Sequence, residues 1–139
     1  KNFVKKKKLE REIIFLNFVK DEYLPYLYLD SSILVMPSLI GPTNIPPWEA
    51  FKMKKPVIYS KLKGIKSVLG ESVYYVDPFN SDEIATSISK ILNDTQLKEE
   101  LITKGTLKLE ENIKKNEFSN FFKIIEEYRK TQKLWDFEN

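Results

Sequence analysis

Residues 33–60 read ILVMPSLIGPTNIPPWEAFKMKKPVIYS, and this stretch decides the fold class. The apolar runs at 33–36 and 56–59 predict two short strands that are covered on both faces. Between them, the proline pair at 46–47 presets the backbone for a helix over about 48–53. A strand, a helix and a second strand in this order predict a parallel βαβ unit.

The same alternation continues on both sides of this unit. Apolar runs at 13–19 and 73–76 predict two more strands, and 63–69 predicts a short helical turn between the last two strands. Acidic residues at 21–22 are suited to the start of a helix, whose apolar face carries Leu24, Leu27 and Tyr28. Residues 80–83 resemble a capping box and begin a long helical region, with further apolar helical faces at 97–113 and 118–128.

This order of elements predicts an α/β fold, a Rossmann-like three-layer α/β/α arrangement with a parallel sheet. A chain of 139 residues fits a single domain, here residues 1–139. The crossovers between parallel strands are expected to be right-handed. In such sheets, ligands bind outside the carboxyl ends of the strands, where loops meet the amino ends of helices.

Composition excludes several classes of function. The sequence has no cysteine and no histidine, which removes disulfides, thiolate or imidazole metal sites and every catalytic triad that needs these residues. A net charge of +3 from 23 basic and 20 acidic residues gives no reason to expect a nucleic-acid partner. No apolar run reaches 18 residues, so the chain is expected to be soluble and cytoplasmic.

The loop after the strand at 33–36 is the candidate ligand site. It leaves the strand at Met36 and enters a helix at 46–47, so its N–H groups and the helix dipole favour an anion such as a diphosphate. Gly41 and Asn44 are the loop residues best able to take a positive φ and turn amides toward a ligand. The same pattern also fits an ordinary βα connection that binds nothing.

Three blocks carry a resemblance to a known family: FLNFVKDEYLPYLYLDSSILVMPS (15–38), GPTNIPPWEAFKMKKPVIYS (41–60) and VYYVDPFNSDEIATSI (73–88). In order and spacing they resemble the carboxy-terminal, donor-binding domain of a family-4 GT-B glycosyltransferase, among the glycosyl transferases group 1. The resemblance extends from about residue 13 to residue 128. It therefore implies a nucleotide-sugar donor as the substrate of this domain.

The resemblance assigns the acidic residue of the loop. In the family the loop usually carries two glutamates separated by seven residues; Glu49 stands where the second belongs, and Gly41 where the first would be. The resemblance implies that Glu49 accepts the ribose hydroxyls, a use of acidic residues known from dinucleotide folds. Because Gly41 replaces the glutamate that meets the transferred sugar, the sugar preference is not carried over.

Further donor contacts are implied for the rest of the loop. The backbone of Thr43, Asn44 and Ile45 would cradle the sugar and the diphosphate, although turn chemistry alone also explains the first two. Three residues at the end of the first predicted strand are candidates for a base pocket, and the first two also suit the core: Phe18, Val19 and Lys20. The full implied donor site is Gly41, Pro42, Thr43, Asn44, Ile45 and Glu49.

The resemblance implies a retaining, metal-independent, hexosyltransferase-like enzyme in cell-envelope polysaccharide or lipopolysaccharide assembly, with no cofactor. Its catalytic residues stay unknown, because the basic Arg/Lys pair of the family belongs upstream of the first block. The amino-terminal acceptor domain of the GT-B fold is also not in this sequence. We therefore expect this chain to be inactive alone, to need that domain in cis or in trans, and to work in an enzyme at the inner face of the membrane.

Two other functions remain to be weighed against this one. A stand-alone or split nucleotide-sugar binding module would have no catalysis of its own, and the genomic sequence immediately upstream would distinguish it from an enzyme fragment. A flavodoxin-like or receiver-like domain is disfavoured, because no acidic phosphoacceptor cluster follows the early strands. The lysine run at 5–8 fits a solvated face, and Trp135 and Phe137 are expected to pack on a partner domain or on this one.

Overall fold

A computed structural model describes residues 1–40 and 45–114. Its centre is a parallel sheet in the order β1-β2-β3, formed by Leu34–Met36 (β1), Val57–Ser60 (β2) and Tyr74–Val76 (β3). Val35 pairs with Ile58 across the first strand pair, and Tyr59 pairs with Tyr75 across the second. The two strands of the predicted βαβ unit are therefore neighbours, as expected.

Helices surround the sheet. A short helix, α1, spans Asn2–Lys6, and a 3-10 turn at Asp21–Tyr23 leads directly into α2, Leu24–Asp30. The remaining helices are α3 (Pro46–Lys52), α4 (Ile65–Leu69), α5 (Ser81–Asn93) and α6 (Thr95–Lys114). Within residues 1–40 and 45–114, no helix combines the length and the apolarity that crossing a membrane requires.

The helix starts follow the sequence signals. Asn80 precedes α5, and its side-chain oxygen accepts a hydrogen bond of 3.0 Å from the Glu83 N–H, so the predicted cap is confirmed. Pro46 and Pro47 occupy the first turn of α3, where a proline does not disturb the helix. The apolar helical face predicted at 118–128, as well as Trp135 and Phe137, lies outside the described residues.

The core has two halves, one on each face of the sheet. Val57 and Tyr59 point to the half that contains Ala50 and Phe51 of α3. Ile58 points to the other half, which contains residues of β3, α5 and α6: Val76, Ile91 and Leu101. Alternate side chains of the fully buried strand β2 thus pack into the core on opposite faces of the sheet. The predicted α/β class with helices on both faces is confirmed.

The strand predicted at 13–19 is wrong. This segment adopts no regular structure and lies outside the three-stranded sheet, and all its apolar side chains except Val19 are exposed, Ile14 by 75% and Phe18 by 85%. A strand exists only where another strand supplies hydrogen-bond partners for its backbone. The apolar run carries the composition of a strand, but no strand of the described chain pairs with it.

One buried polar group lies at the carboxyl end of β2. Ser60 is fully buried, and its hydroxyl has no hydrogen-bond partner among the described residues. We expect Ser60→Ala to raise the free energy of unfolding by about 1 kcal/mol, because a buried unsatisfied hydroxyl carries a desolvation penalty of that order. Urea denaturation followed by circular dichroism measures the change.

A matched serine provides the control. Ser72 is also buried, but its hydroxyl donates to the Leu69 carbonyl. Ser72→Ala should therefore lower the free energy of unfolding by about 1 kcal/mol. Equal destabilisation by the two substitutions would show that the Ser60 hydroxyl has a partner in solution.

Candidate functional site

A cavity of about 450 Å³ lies between the start of α2 and one face of α3. From the α2 side it is lined by Asp21, Leu24, Pro25 and Tyr28, and from the α3 side by Ile45, Glu49, Lys52 and Met53. Half of these side chains are apolar, and three are charged. A cavity of this size that combines apolar walls with convergent polar groups is able to hold a small molecule.

Glu49 is the acidic group that α3 presents to the cavity. It lies in the first turn of α3 and is partly buried. The Tyr28 hydroxyl donates a hydrogen bond of 2.9 Å to Glu49 Oε2. This bond joins α2 to α3 across 21 residues of chain and fixes one oxygen of the carboxylate at the cavity wall.

The environment of Tyr28 keeps its hydroxyl protonated. Burial, followed by the hydrogen bond to Glu49 and the negative charge of that carboxylate, raises the pKa of Tyr28 well above its usual value. The Tyr28 hydroxyl is therefore a hydrogen-bond donor throughout the physiological pH range. Its ring packs against the core half that contains Ala50 and Phe51, so the donor is held by the fold.

The first turn of α3 has no free amide with which to bind an anion. Pro46 and Pro47 have no N–H group, and the amides of Trp48 and Glu49 both donate to the Ile45 carbonyl, at 2.9 and 3.3 Å. The first turn of this seven-residue helix thus leaves no free amide for a diphosphate. The anion-binding N–H groups predicted from the sequence belong to the loop, whose residues 41–44 lie outside the described residues, so that expectation stays a prediction.

The structure brings together two of the residues predicted for the donor site, since Ile45 and Glu49 line the same cavity. The other four predicted positions, 41–44, lie outside the described residues. The predicted base-pocket residues are Phe18, Val19 and Lys20; they precede the cavity wall in sequence and are not among its lining residues. Lys20 instead lies 3.7 Å from Glu22 in an exposed ion pair.

Tyr28 is the main residue that the sequence analysis did not assign to the site. The signal for it was present, because Asp21, Leu24, Pro25 and Tyr28 follow the spacing of one helical face. The sequence pattern places Tyr28 on an apolar helical face with Leu24 and Leu27. The structure shows that the same face forms a wall of the cavity and that the tyrosine ends in a hydroxyl directed at Glu49.

Comparison with known proteins identifies the family. The model of a family described as glycosyl transferases group 1 matches residues 1–108, which include all of the cavity wall. The chain is 32% identical over 93 residues to O-antigen chain mannosyltransferase B of Escherichia coli, a match that covers 67% of this chain and 24% of that protein. The chain thus spans about a quarter of the length of the curated relatives it matches.

Two solved structures share the fold. Sucrose-phosphate synthase from Thermosynechococcus elongatus superposes with a TM-score of 0.74 and 23% identity, covering 89% of this chain and 33% of that chain. The carboxy-terminal domain of a glycosyl transferase group 1 family protein from Francisella tularensis gives a TM-score of 0.66 with 25% identity. That match covers 78% of this chain and 57% of the other.

Proposed function

Because the chain belongs to the glycosyl transferases group 1 family, we propose that it binds the nucleoside-diphosphate sugar that donates the transferred sugar. The GT-B fold and the glycosyltransferase family are the premises of this proposal. The proposal itself concerns the donor that is bound, the retention of anomeric configuration during transfer, and the acceptor. The observation that carries it is the position of Glu49 at the cavity between α2 and α3.

The cavity suits a nucleoside. Its volume of about 450 Å³ is within the range of small-molecule sites, roughly 300–1,000 Å³. The apolar side chains of Leu24, Pro25 and Met53 offer a surface for the flat face of a base. The carboxylate of Glu49 can accept hydrogen bonds from two neighbouring ribose hydroxyls, as acidic residues do in dinucleotide folds.

The diphosphate and the sugar need other groups, because the first turn of α3 has no free amide. We assign these contacts to the loop residues Gly41, Pro42, Thr43, Asn44 and Ile45, in keeping with the family pattern. Lys52 brings a positive charge to the same cavity. Amides and an ammonium group can stabilise a diphosphate without a metal ion.

The transferred sugar and the acceptor are proposed by analogy with a relative. The Escherichia coli relative is named an O-antigen chain mannosyltransferase. We therefore propose a hexose donor and an acceptor in cell-envelope polysaccharide assembly, with a second domain facing the cavity to supply the acceptor site and the basic leaving-group pair. The Gly at position 41 leaves the choice of sugar open to measurement.

Binding of the donor nucleotide is expected to be independent of divalent cations. Equilibrium dialysis with radiolabelled guanosine, uridine and adenosine diphosphates should give at least one with measurable affinity. That affinity should be the same in the presence of a chelator, because protein groups meet the diphosphate charge. Binding that is lost on chelation and restored by Mg²⁺ or Mn²⁺ would contradict the proposed metal-independent site.

A further inference from the structure

The hydrogen bond between Tyr28 and Glu49 has a role that packing alone does not explain. Tyr28 lies near the end of α2, and its hydroxyl reaches the cavity-lining carboxylate at 2.9 Å. The Pro46 carbonyl is 3.5 Å from the same hydroxyl, so Glu49 is the better acceptor. A phenylalanine at position 28 would fill nearly the same space but would lack the hydroxyl that donates to Glu49.

We propose that Tyr28 is a positioning residue for ligand binding, which holds the Glu49 carboxylate in the orientation that accepts the ribose hydroxyls. This inference rests on the proposed function of Glu49. A carboxylate has about four acceptor positions, so one hydrogen bond from Tyr28 leaves sites free for two hydroxyls of a ligand. A glutamate that is already oriented loses less conformational freedom when the ligand arrives.

The Tyr28 side chain, which donates this hydrogen bond, is held in place by its neighbours. A positioning residue must itself be held in this way. The ring of Tyr28 packs on the core half around Ala50 and Phe51. Its backbone carbonyl accepts a hydrogen bond of 2.9 Å from the Ser31 hydroxyl at the end of α2. Tyr26 on the same helix differs in this respect, because its side chain is 64% exposed. The two tyrosines therefore form a natural pair of test and control.

The test compares ligands with and without ribose hydroxyls. Guanosine, uridine and adenosine diphosphates are titrated against the parent, Tyr28→Phe and Tyr26→Phe, and each titration is repeated with the 2′,3′-dideoxy nucleotide. Tyr28→Phe should weaken binding of the ribonucleotide by about three- to ten-fold, the effect expected for one hydrogen bond. Binding of the dideoxy nucleotide should be unchanged, and Tyr26→Phe should behave as the parent.

Combination with Glu49→Ala separates the two proposals. Tyr28→Phe should have no further effect in the Glu49→Ala background, because the proposed action of the Tyr28 hydroxyl on the ligand passes through that carboxylate. Equal weakening of both ligand types by Tyr28→Phe would mean a purely structural role and would overturn the inference. An effect of Glu49→Ala with none of Tyr28→Phe would overturn the inference and leave the proposed function standing. Absence of nucleotide binding by the parent would overturn both the proposed function and the inference about Tyr28.

A second measurement needs no substitution of Tyr28, in case that variant does not fold. The ring Cζ signal of Tyr28 is compared between the parent and Glu49→Ala by nuclear magnetic resonance. Loss of the hydrogen bond should shift the Tyr28 signal and leave the Tyr26 signal in place. An unchanged Tyr28 signal would show that the hydroxyl does not bind Glu49, which contradicts the inference.

Discussion

Replacing Phe51 by alanine is expected to lower the free energy of unfolding by about 3–5 kcal/mol, the usual effect of truncating a buried aromatic side chain. Phe51 is only 2% exposed. Its ring stacks edge to face on Trp48, with centroids 5.8 Å apart, and it packs so closely on Gly105 of α6 that a Cβ there would lie 2.5 Å from the ring. Phe51 therefore joins the helix that carries Glu49 to the longest helix of the described chain.

The predicted loss of stability in Phe51→Ala is large enough to test the packing of α3 on α6. A domain of this size is stable by roughly 5–15 kcal/mol, so the Phe51→Ala variant should lose a large share of its stability. Guanidinium denaturation measures the loss. Phe79, which is 82% exposed, provides the control, and Phe79→Ala should change the stability by less than about 0.5 kcal/mol. Similar small effects of the two substitutions would show that α3 does not pack on α6 as described.

Replacing Glu49 by alanine is expected to weaken nucleoside-diphosphate binding by about ten-fold or more, because hydrogen bonds to a charged acceptor contribute about 1.5–3 kcal/mol. Glu49→Gln should give an intermediate loss, since the amide keeps one acceptor oxygen and loses the charge. Equilibrium dialysis with the ribonucleotide that the parent binds best measures both variants.

Glu71→Ala is the matched control for these variants. Glu71 lies in a different groove of about 290 Å³, beside Leu69 and Lys104, and forms an exposed ion pair with Lys66 at 3.1 Å. Its removal should leave nucleotide affinity unchanged. If Glu71→Ala and Glu49→Ala weaken binding to the same extent, the loss reflects net charge, and Glu49 has no specific contact with the ligand.

Three of the four predicted strands are present in the structure. The runs at 33–36 and 73–76 contain β1 and β3, and the run at 56–59 overlaps β2, which ends one residue later at Ser60. The run at 13–19 has the same composition and forms no strand. Composition indicates that a segment is able to pair, but pairing depends on a neighbouring strand, which a local pattern does not reveal.

The site was predictable to the extent that it is local in sequence. Glu49 lies just inside the predicted helix start, the family resemblance implies its role, and the structure places it at a cavity. Its partner Tyr28 is 21 residues away, and the contact exists only because α2 and α3 pack against each other. Pro46 and Pro47 have no N–H group, so the first turn of α3 adds no free amide to those expected from the loop.

The most direct test of the nucleotide site is a chemical-shift titration of the ¹⁵N-labelled chain with uridine, guanosine and adenosine diphosphates. If the cavity binds the nucleotide, at least one of them should change the amide chemical shifts of Tyr28, Glu49 and Lys52. These changes should be strongly reduced in Glu49→Ala. The groove beside Leu69 and Lys104 should not respond. If no nucleotide perturbs the cavity amides, or if Glu49→Ala responds as the parent does, the cavity between α2 and α3 is not the donor site.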